Sequence, residues 1–407
     1  MNQRIVLKEC KSRAELKKFT RFAIDLYRGN DCYVPPIISS EVDLFDPKIN
    51  PSLEFCEKIN LLAFRDGKPV GRIAGIYNPK VNEKTGEKRV RFGYCDFVDD
   101  QEVSRTLLDA VAQWGRERGM TEIVGPMGFT DLDMEGCLIE GFDRLSTAIA
   151  IYNHPYYKTH FEAYGLSADA YWSEYRMEMI DGIPERYSRI GEIVKQKLGL
   201  KVLQLIDTKN VVEQWGRPLF DLYDQCYAPL YGTAPLTQKQ KDYYIGYFLP
   251  QLRLDHIRFI VDAEGKLVAF GVANPSLSRA LQKAKGSLWP FGWIPLLKTL
   301  KCRKQTDTCD LYLVGIRPDL QGKGVNALLF TELIPEFIKN GYKFTGSTPV
   351  KKKSAPKTVT KTKTVTKAVK PSLTSVPSKF LIKCIPFSEI FIIIILSKKM
   401  LVLLTTM

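Results

Sequence analysis

The apolar and polar positions of the chain run through the same series of periods twice. Residues 59–78, INLLAFRDGKPVGRIAGIYN, form two short strand-like runs around Asp66-Gly67, which predicts a hairpin. Residues 257–276, IRFIVDAEGKLVAFGVANPS, do the same around Glu264-Gly265. A further strand is expected after each hairpin, at 90–100 (VRFGYCDFVDD) and 310–320 (DLYLVGIRPDL). The period then becomes helical over 104–120 and 325–342. Each helical run ends near a glycine, Gly119 or Gly341, suited to a left-handed cap. Short strands, TEIVGPM and KFTGSTPV, close the two series, and long helical runs at 12–29 and 208–227 precede them. The expected fold class is α/β, built as two tandem lobes, each a mixed, mostly antiparallel sheet flanked by helices.

The halves then diverge. The first continues through 141–166, expected to be helical in its middle, to WSEYRMEM (172–179), which alternates like a strand. The second runs into KKKSAPKTVTKTKTVTKAVKPS, which has no acidic residue and is expected to open a disordered C-terminal tail. Farther on, FIIIIL reads as an aggregation hazard. The uncharged run Ile390–Ser397 has eight residues, against about twenty for a helical membrane span, so no span is expected. A reading frame lost near Val350 would produce such a tail. It would leave the second lobe with an unpaired strand edge.

Charge alters the picture less than its total suggests. The net charge is +14, but residues 351–407 hold twelve lysines against Glu389, so the remainder carries 14 − 11 = +3. No nucleic-acid surface is expected on the folded body. A nucleic-acid or anionic-membrane binder acting through the lysine tail is a separate reading. The nine cysteines include no CxxC pair, and MNQRIVLKEC offers no apolar leader, which points to reduced thiols and a cytoplasmic protein. His154 and His160 lack the spacing of a metal site, and no metal is expected.

The strongest chemical signal lies at the second strand-to-helix junction. Gln321-Gly322-Lys323-Gly324-Val325-Asn326 would present successive backbone N–H groups at a helix N-terminus, with glycines admitting close approach of a phosphate. Neither the P-loop nor the GxGxxG spacing is present. Strand-Gln-x-x-Gly-x-[Gly/Ala]-helix resembles the acyl-CoA pyrophosphate loop of the GNAT N-acetyltransferase superfamily, and this sequence departs from it at Asn326. The chain also resembles long bacterial proteins with two GNAT-like lobes, through GPMGFTDLDMEG (125–136) and PSLSRALQKAKG (275–286). The implied domains are a degenerate GNAT-like lobe at 1–182, a lobe with the pyrophosphate loop at 183–350, and a tail at 351–407.

The resemblance implies an N-acyltransferase that passes an acyl group directly from acetyl-CoA, or another acyl-CoA as co-substrate, to an amine. It leaves the acceptor, the acyl length and the oligomeric state open. Leu313, Val314 and Gly315 would pair with the pantetheine arm, and Gln321 to Asn326, with Lys323 and Val325, would hold the pyrophosphate. Asp310 falls where the strand-borne base sits. Being shorter than the usual Glu, it would work through a water. No tyrosine-bearing helix follows in the second lobe. Tyr156 and Tyr157 lie in the matching stretch of the first, whose loop has no glycine but Asp99, Asp100 and Glu102. The acidic stretch 130–143 and the tryptophan-bearing 275–300 are candidate acceptor segments, the first attracting an amine and the second serving as a lid or as packing between lobes. A non-catalytic CoA-binding or scaffold protein with a degenerate or truncated acetyltransferase fold is the alternative.

Overall fold

The computed structural model describes residues 4–179, 182–301, 305–346, 350–352 and 394–406, the last two segments by backbone alone. The first lobe opens with β1 (Val6–Glu9), α1 (Arg13–Leu26) and α2 (Ile38–Leu44). The hairpin β2 (Glu57–Arg65) and β3 (Lys68–Tyr77) follows, then α3 (Pro79–Thr85), β4 (Arg89–Phe97), α4 (Gln101–Arg116) and β5 (Glu122–Gly125). β6 (Cys137–Glu140), α5 (Tyr156–Tyr164) and β7 (Ser167–Glu178) complete this half.

The second half begins with α6 (Glu185–Lys197) and β8 (Lys201–Val202). α7 (Thr208–Asn210) passes through a π-helical turn, Val211–Trp215, into α8 (Gly216–Tyr227), and α9 (Gln238–Phe248) follows. The hairpin β9 (Ile257–Val261) and β10 (Leu267–Pro275) leads to α10 (Ser278–Ala284) and α11 (Trp293–Lys301). Then come β11 (Thr308–Ile316), α12 (Val325–Lys339), β12 (Phe344–Gly346), β13 (Val350–Lys352) and β14 (Ile394–Thr406). Among the described residues, no helix is long and apolar enough to cross a membrane.

Local chemistry sets the helix ends. Ser12 and Glu15 form a capping box on α1, and Thr237 with Gln240 does the same for α9. Gly119 and Gly341 take positive φ, 74° and 84°, as their places after α4 and α12 required. In 141–166 the helix is confined to α5, with Pro155 as its N-cap. Before it, Asn153 bonds both backbone groups of Leu138, which holds the chain extended rather than helical.

The two lobes match in detail. β2–β3–β4 and β9–β10–β11 are antiparallel, and each series ends in a three-residue parallel pair. Arg89, Val90 and Arg91 pair with Glu122, Ile123 and Val124; Thr308, Cys309 and Asp310 pair with Phe344, Thr345 and Gly346. A glycine lets the helix settle on the sheet in both. A Cβ at Gly71 would come within 2.7 Å of Leu107, and one at Gly271 within 2.6 Å of Leu333. Apolar clusters cover both faces of each half-sheet, led by Phe92 and Val111 under α4, Phe19 and Phe45 under α1, Phe220 and Phe270 under α8, and Leu329 and Phe337 under α12.

The halves join through one sheet in the order β1-β2-β3-β4-β5-β14-β7-β12-β11-β10-β9-β8. β7 follows the first lobe in sequence, yet it pairs antiparallel with β12 of the second, Arg176 opposite Gly346. β14 in turn lies between β5 and β7. Among the described residues, β12 is therefore not the unpaired edge expected on the second lobe, because β7 pairs with it. Of the tail expected to be disordered, 353–393 lies outside the described residues and 394–406 forms β14.

Candidate active site

β11 carries the candidate site. Cys309 and Leu311 face the α12 core, so Asp310 points to the opposite face, toward the side covered by α8. Asn274 of β10 stands opposite Asp310 on one side and Gly346 of β12 on the other. A Cβ on Gly346 would lie 3.4 Å from Asp310 Oδ1 and 3.9 Å from Thr147, which comes from the first lobe's loop. Glu174 and Arg176 of β7 act on the same carboxyl. The surroundings of Asp310 are thus built by both halves of the chain.

Asp310 is 1% exposed. Burial pushes its carboxyl up to about 7, Glu174 adds to the rise, and the Ser276 hydroxyl and Arg176 pull against it. Neither carboxylate oxygen meets a donor at full hydrogen-bond geometry, and Asn274 Oδ1 beside it is likewise unpartnered. A carboxyl in this state gives up and takes back a proton near neutral pH, as a general base must.

Past Asp310, β11 has no strand partner on its β12 side among the described residues. The register with β10 slips at Val272/Ala273, leaving Tyr312 as an extra residue that bends the strand. Leu313 and Gly315 are buried and Val314 is partly exposed. Gly315 has a packing reason of its own, since a Cβ there would fall 2.4 Å from the Phe270 ring. The Tyr227 hydroxyl donates to Val314 O at 3.2 Å, and the Gln321 side-chain amide donates to Ile316 O at 3.0 Å. Tyr227 was not singled out from the sequence. Its only signal there was the aromatic run that ends the 208–227 helix.

The strand-to-helix loop spans 317–324, and its glycines at 322 and 324 take φ of 75° and 86°. Gly324 is the N-cap of α12 and supplies no side-chain cap. Among the described residues, the N–H groups of Gly322, Gly324, Val325 and Asn326 meet no loop or side-chain acceptor. Gly322 and Lys323 are exposed, and Gln321, Gly324 and Asn326 are partly so. This end carries partial positive charge and free donors, the arrangement that takes a phosphate. Val194 and Ile190 of α6 pack against Gly324.

The corresponding places in the first lobe are filled. Arg91 occupies the third position of the parallel pair, where Asp310 stands in the second lobe. It is buried, and its guanidinium donates to the carbonyls of Gly128 and Gly232. The connection from β4 to α4 has three residues (98–100) against eight (317–324) in the second lobe. Asp100 caps α4 by accepting from the N–H groups of Glu102 and Val103, and Arg65 pairs with it. At the end of β4, the Phe97 N–H and C=O are taken by the hydroxyls of Tyr157 and Tyr156. Removing the cap in Asp100→Ala should cost about 1–2 kcal/mol of stability and leave acyl-CoA affinity unchanged. Urea denaturation and calorimetry read the two effects separately.

The histidines are structural. His160 bridges Ser104 (on Nδ1) and Asp99 (on Nε2) at 2.8 Å each, the members of a hydrolytic triad with the two ring nitrogens exchanged. Ser104, however, is 2% exposed, so the array pins α5 to α4 rather than attacking a substrate. His154 stacks on Tyr27. Among the described residues, no cluster suits a metal ion and no disulfide forms.

The two acceptor segments separate. The first part of 130–143 is not an open acidic loop but the seam between lobes. Tyr223 donates to Asp131, Tyr244 meets Thr130 at 3.0 Å, and Asp133 accepts from the N–H groups of Phe129 and Thr130. Burial pushes Asp133 up to about 6 and Glu135 up to about 8, so at neutral pH Glu135 holds its proton. The stretch is therefore not a wholly solvated loop: Asp131, Asp133 and Glu135 are partly buried at the seam, whereas Glu140 and Asp143 are exposed. Tyr223 stacks on Tyr227, which links this seam to the free side of β11. The 275–300 segment forms α10 and α11 and leans on the first lobe through Gln282, whose amide donates to Asp31 O and Tyr33 O.

No family model matches the chain. It is 26% identical over 324 residues to Protein YghO of Escherichia coli (strain K12), which is 79% of this chain and 80% of that protein. It is 27% identical over 315 residues to the bacterial ceramide synthase of Caulobacter vibrioides (strain NA1000 / CB15N), covering 76% of this chain and 80% of that one. Among solved structures it is similar to a tandem GNAT protein from the clavulanic acid biosynthesis pathway, with a TM-score of 0.49, 10% identity, and 99% and 98% of the two chains covered. In the order, pairing and duplication of its elements, the chain resembles the tandem proteins of the GNAT superfamily.

Proposed function

We propose that the chain is an acyl-CoA-dependent N-acyltransferase whose working site lies in the second lobe. The observation that carries this is the placement of three features along β11. A buried carboxyl raised to about 7 lies at one end, a glycine loop whose N–H groups meet no loop or side-chain acceptor among the described residues at the other, and between them runs a strand edge without a partner among the described residues. Acyl-CoA fits that series: its pyrophosphate at the loop, its pantetheine arm along Leu313–Gly315, and its thioester toward Asp310.

In the reaction, the acceptor nitrogen attacks the thioester carbonyl and forms the amide bond as the carbon–sulfur bond breaks. Asp310 takes the amine proton, directly or through one water, and CoA leaves as the thiolate. Tyr227, with its hydroxyl on Val314 O, is the side chain we assign to protonate that thiolate, a role for which the sequence offered no candidate in this lobe. The first lobe, with Arg91 and a three-residue connection, is assigned as a non-binding copy. Free thiols at the seven described cysteines, six of them buried, and a CoA donor fit a cytoplasmic setting.

The relative named as a ceramide synthase suggests which donors and acceptors to try, because a ceramide joins a fatty acyl group to the amine of a long-chain amino alcohol. The test is thiol release from acetyl-CoA and from long-chain acyl-CoA, each offered to small amines, peptide amines and long-chain amino alcohols. Amine-dependent release with any pair supports the reading. Asn326, where the resembling family has Gly or Ala, favours a second reading, a CoA-binding protein without turnover. Tight binding with no release across the panel would establish that one instead.

A further inference from the structure

The segment between β10 and β11 exposes apolar side chains in a way the rest of the described residues do not. Leu288, Trp289, Phe291, Trp293 and Leu297 are 39%, 82%, 70%, 45% and 41% exposed within ten residues. A groove of about 580 Å³ runs between α10 and α11, with Trp289, Phe291 and Ile294 on its apolar side. The Trp293 indole N–H already donates to Pro290 O at 3.0 Å, so the ring is free to leave water.

The tip is exposed, yet its base is fixed. Besides Gln282, Ile38 N–H donates to Gly286 O, and Arg253 donates to Leu300 O. Gly286 takes φ of 81°, and a Cβ there would fall 2.5 Å from Ile24 of the first lobe. Both ends of the segment are thus held, and the aromatic tip is presented rather than loosely hung.

Charge identifies what covers it. Residues 276–301 contain Arg279, Lys283, Lys285, Lys298 and Lys301 and no acidic side chain. All four lysines are exposed, and Lys283 and Lys298 line the groove with Trp289 and Phe291. A second copy docked on the same face would set these cations against one another. Tryptophan and phenylalanine ringed by lysine match instead the boundary layer of a bilayer, where rings sit among the headgroups and cations meet their phosphates.

We propose that this segment docks the protein on a lipid bilayer bearing anionic headgroups, with Trp289, Phe291 and Trp293 entering the interfacial layer. On the proposed function, the base of this segment adjoins the site, since Ser276, where the segment begins, neighbours Asp310.

The test is vesicle flotation of the full chain with phosphatidylcholine vesicles, with and without phosphatidylglycerol. The comparison variants are Trp289→Ser/Phe291→Ser and Lys283→Gln/Lys298→Gln. Both pairs are exposed, so their thermal melts should match the parent. Binding to the anionic vesicles only, with a blue shift of tryptophan emission, is expected. The aromatic variant should bind about tenfold more weakly, and the lysine variant should show a smaller salt dependence. The lysine-rich stretch 351–370 is intact in every variant. Anionic-vesicle binding unchanged by the aromatic substitutions would therefore assign binding to the tail and overturn the proposal. Absence of vesicle binding, with a dimer that the aromatic variant dissociates, would overturn it in favour of a second copy.

Discussion

Asp310→Asn is expected to abolish turnover and to make the protein more stable in alkali. Burial holds the folded carboxyl near 7 against an ordinary 3.8, so the folded chain keeps this proton to a higher pH than the unfolded one. Below the unfolded value both states are protonated, and the residue is no liability. As pH rises from about 4 to about 7, ionisation increasingly favours the unfolded chain, by up to about 4 kcal/mol in total. Asparagine keeps the shape and cannot ionise. The variant should therefore match the parent near pH 4 and exceed it at pH 8 in urea denaturation. Equal differences at the two pH values would mean that Asp310 does not titrate in the folded protein.

Turnover has the opposite sign. The base must be ionised to accept a proton, so parental kcat/KM should rise with pH through about 7. Above about pH 7 asparagine should lower it by about 10²–10⁴-fold, and the gap should narrow toward acid as the parental carboxyl takes up its proton. A variant that is stabilised in alkali but dead in catalysis separates a working carboxyl from one that merely packs. A variant stabilised and fully active would leave the strand and loop as a binding device only.

How much of this was legible in the sequence depends on the range of the interaction. The hairpins, the helix over α12, the caps at Gly119 and Gly341 and the glycine loop were all readable, because each rests on a period or on a backbone angle a few residues long. The pairing of β7 with β12 was not, since WSEYRMEM alternates identically whichever strand it joins. Nor was the fate of Asp131, Asp133 and Glu135, whose sequence shows charge but not the tyrosines of α8 and α9 that bury it. The exchange of roles between Arg91 and Asp310 was also hidden. It emerges only when the two three-residue parallel pairs are laid on each other, where both side chains prove to occupy one position.

The glycine loop is where the donor itself can be tested. Gly322 and Gly324 both have positive φ, but their surroundings differ: a Cβ at 322 meets nothing within 4 Å, whereas one at 324 lies 3.0 Å from Val194. Substitution at 324 therefore disturbs the contact with α6 as well as the loop, and a loss of binding there would have two causes. At 322 the cause is single. Gly322→Ala should cost about 1 kcal/mol of stability for its backbone angle and weaken acetyl-CoA binding by no more than a few-fold. Gly322→Asp adds the same strain plus a carboxylate among the donors that would hold the pyrophosphate, and should weaken binding by about a hundredfold or more. Calorimetry on the parent and both variants reads the difference. Affinity lost in Asp but kept in Ala puts the pyrophosphate on the α12 N-terminus by charge, independent of fold. Equal affinity in all three would place the donor elsewhere, and the resemblance of this loop would then be one of shape without use.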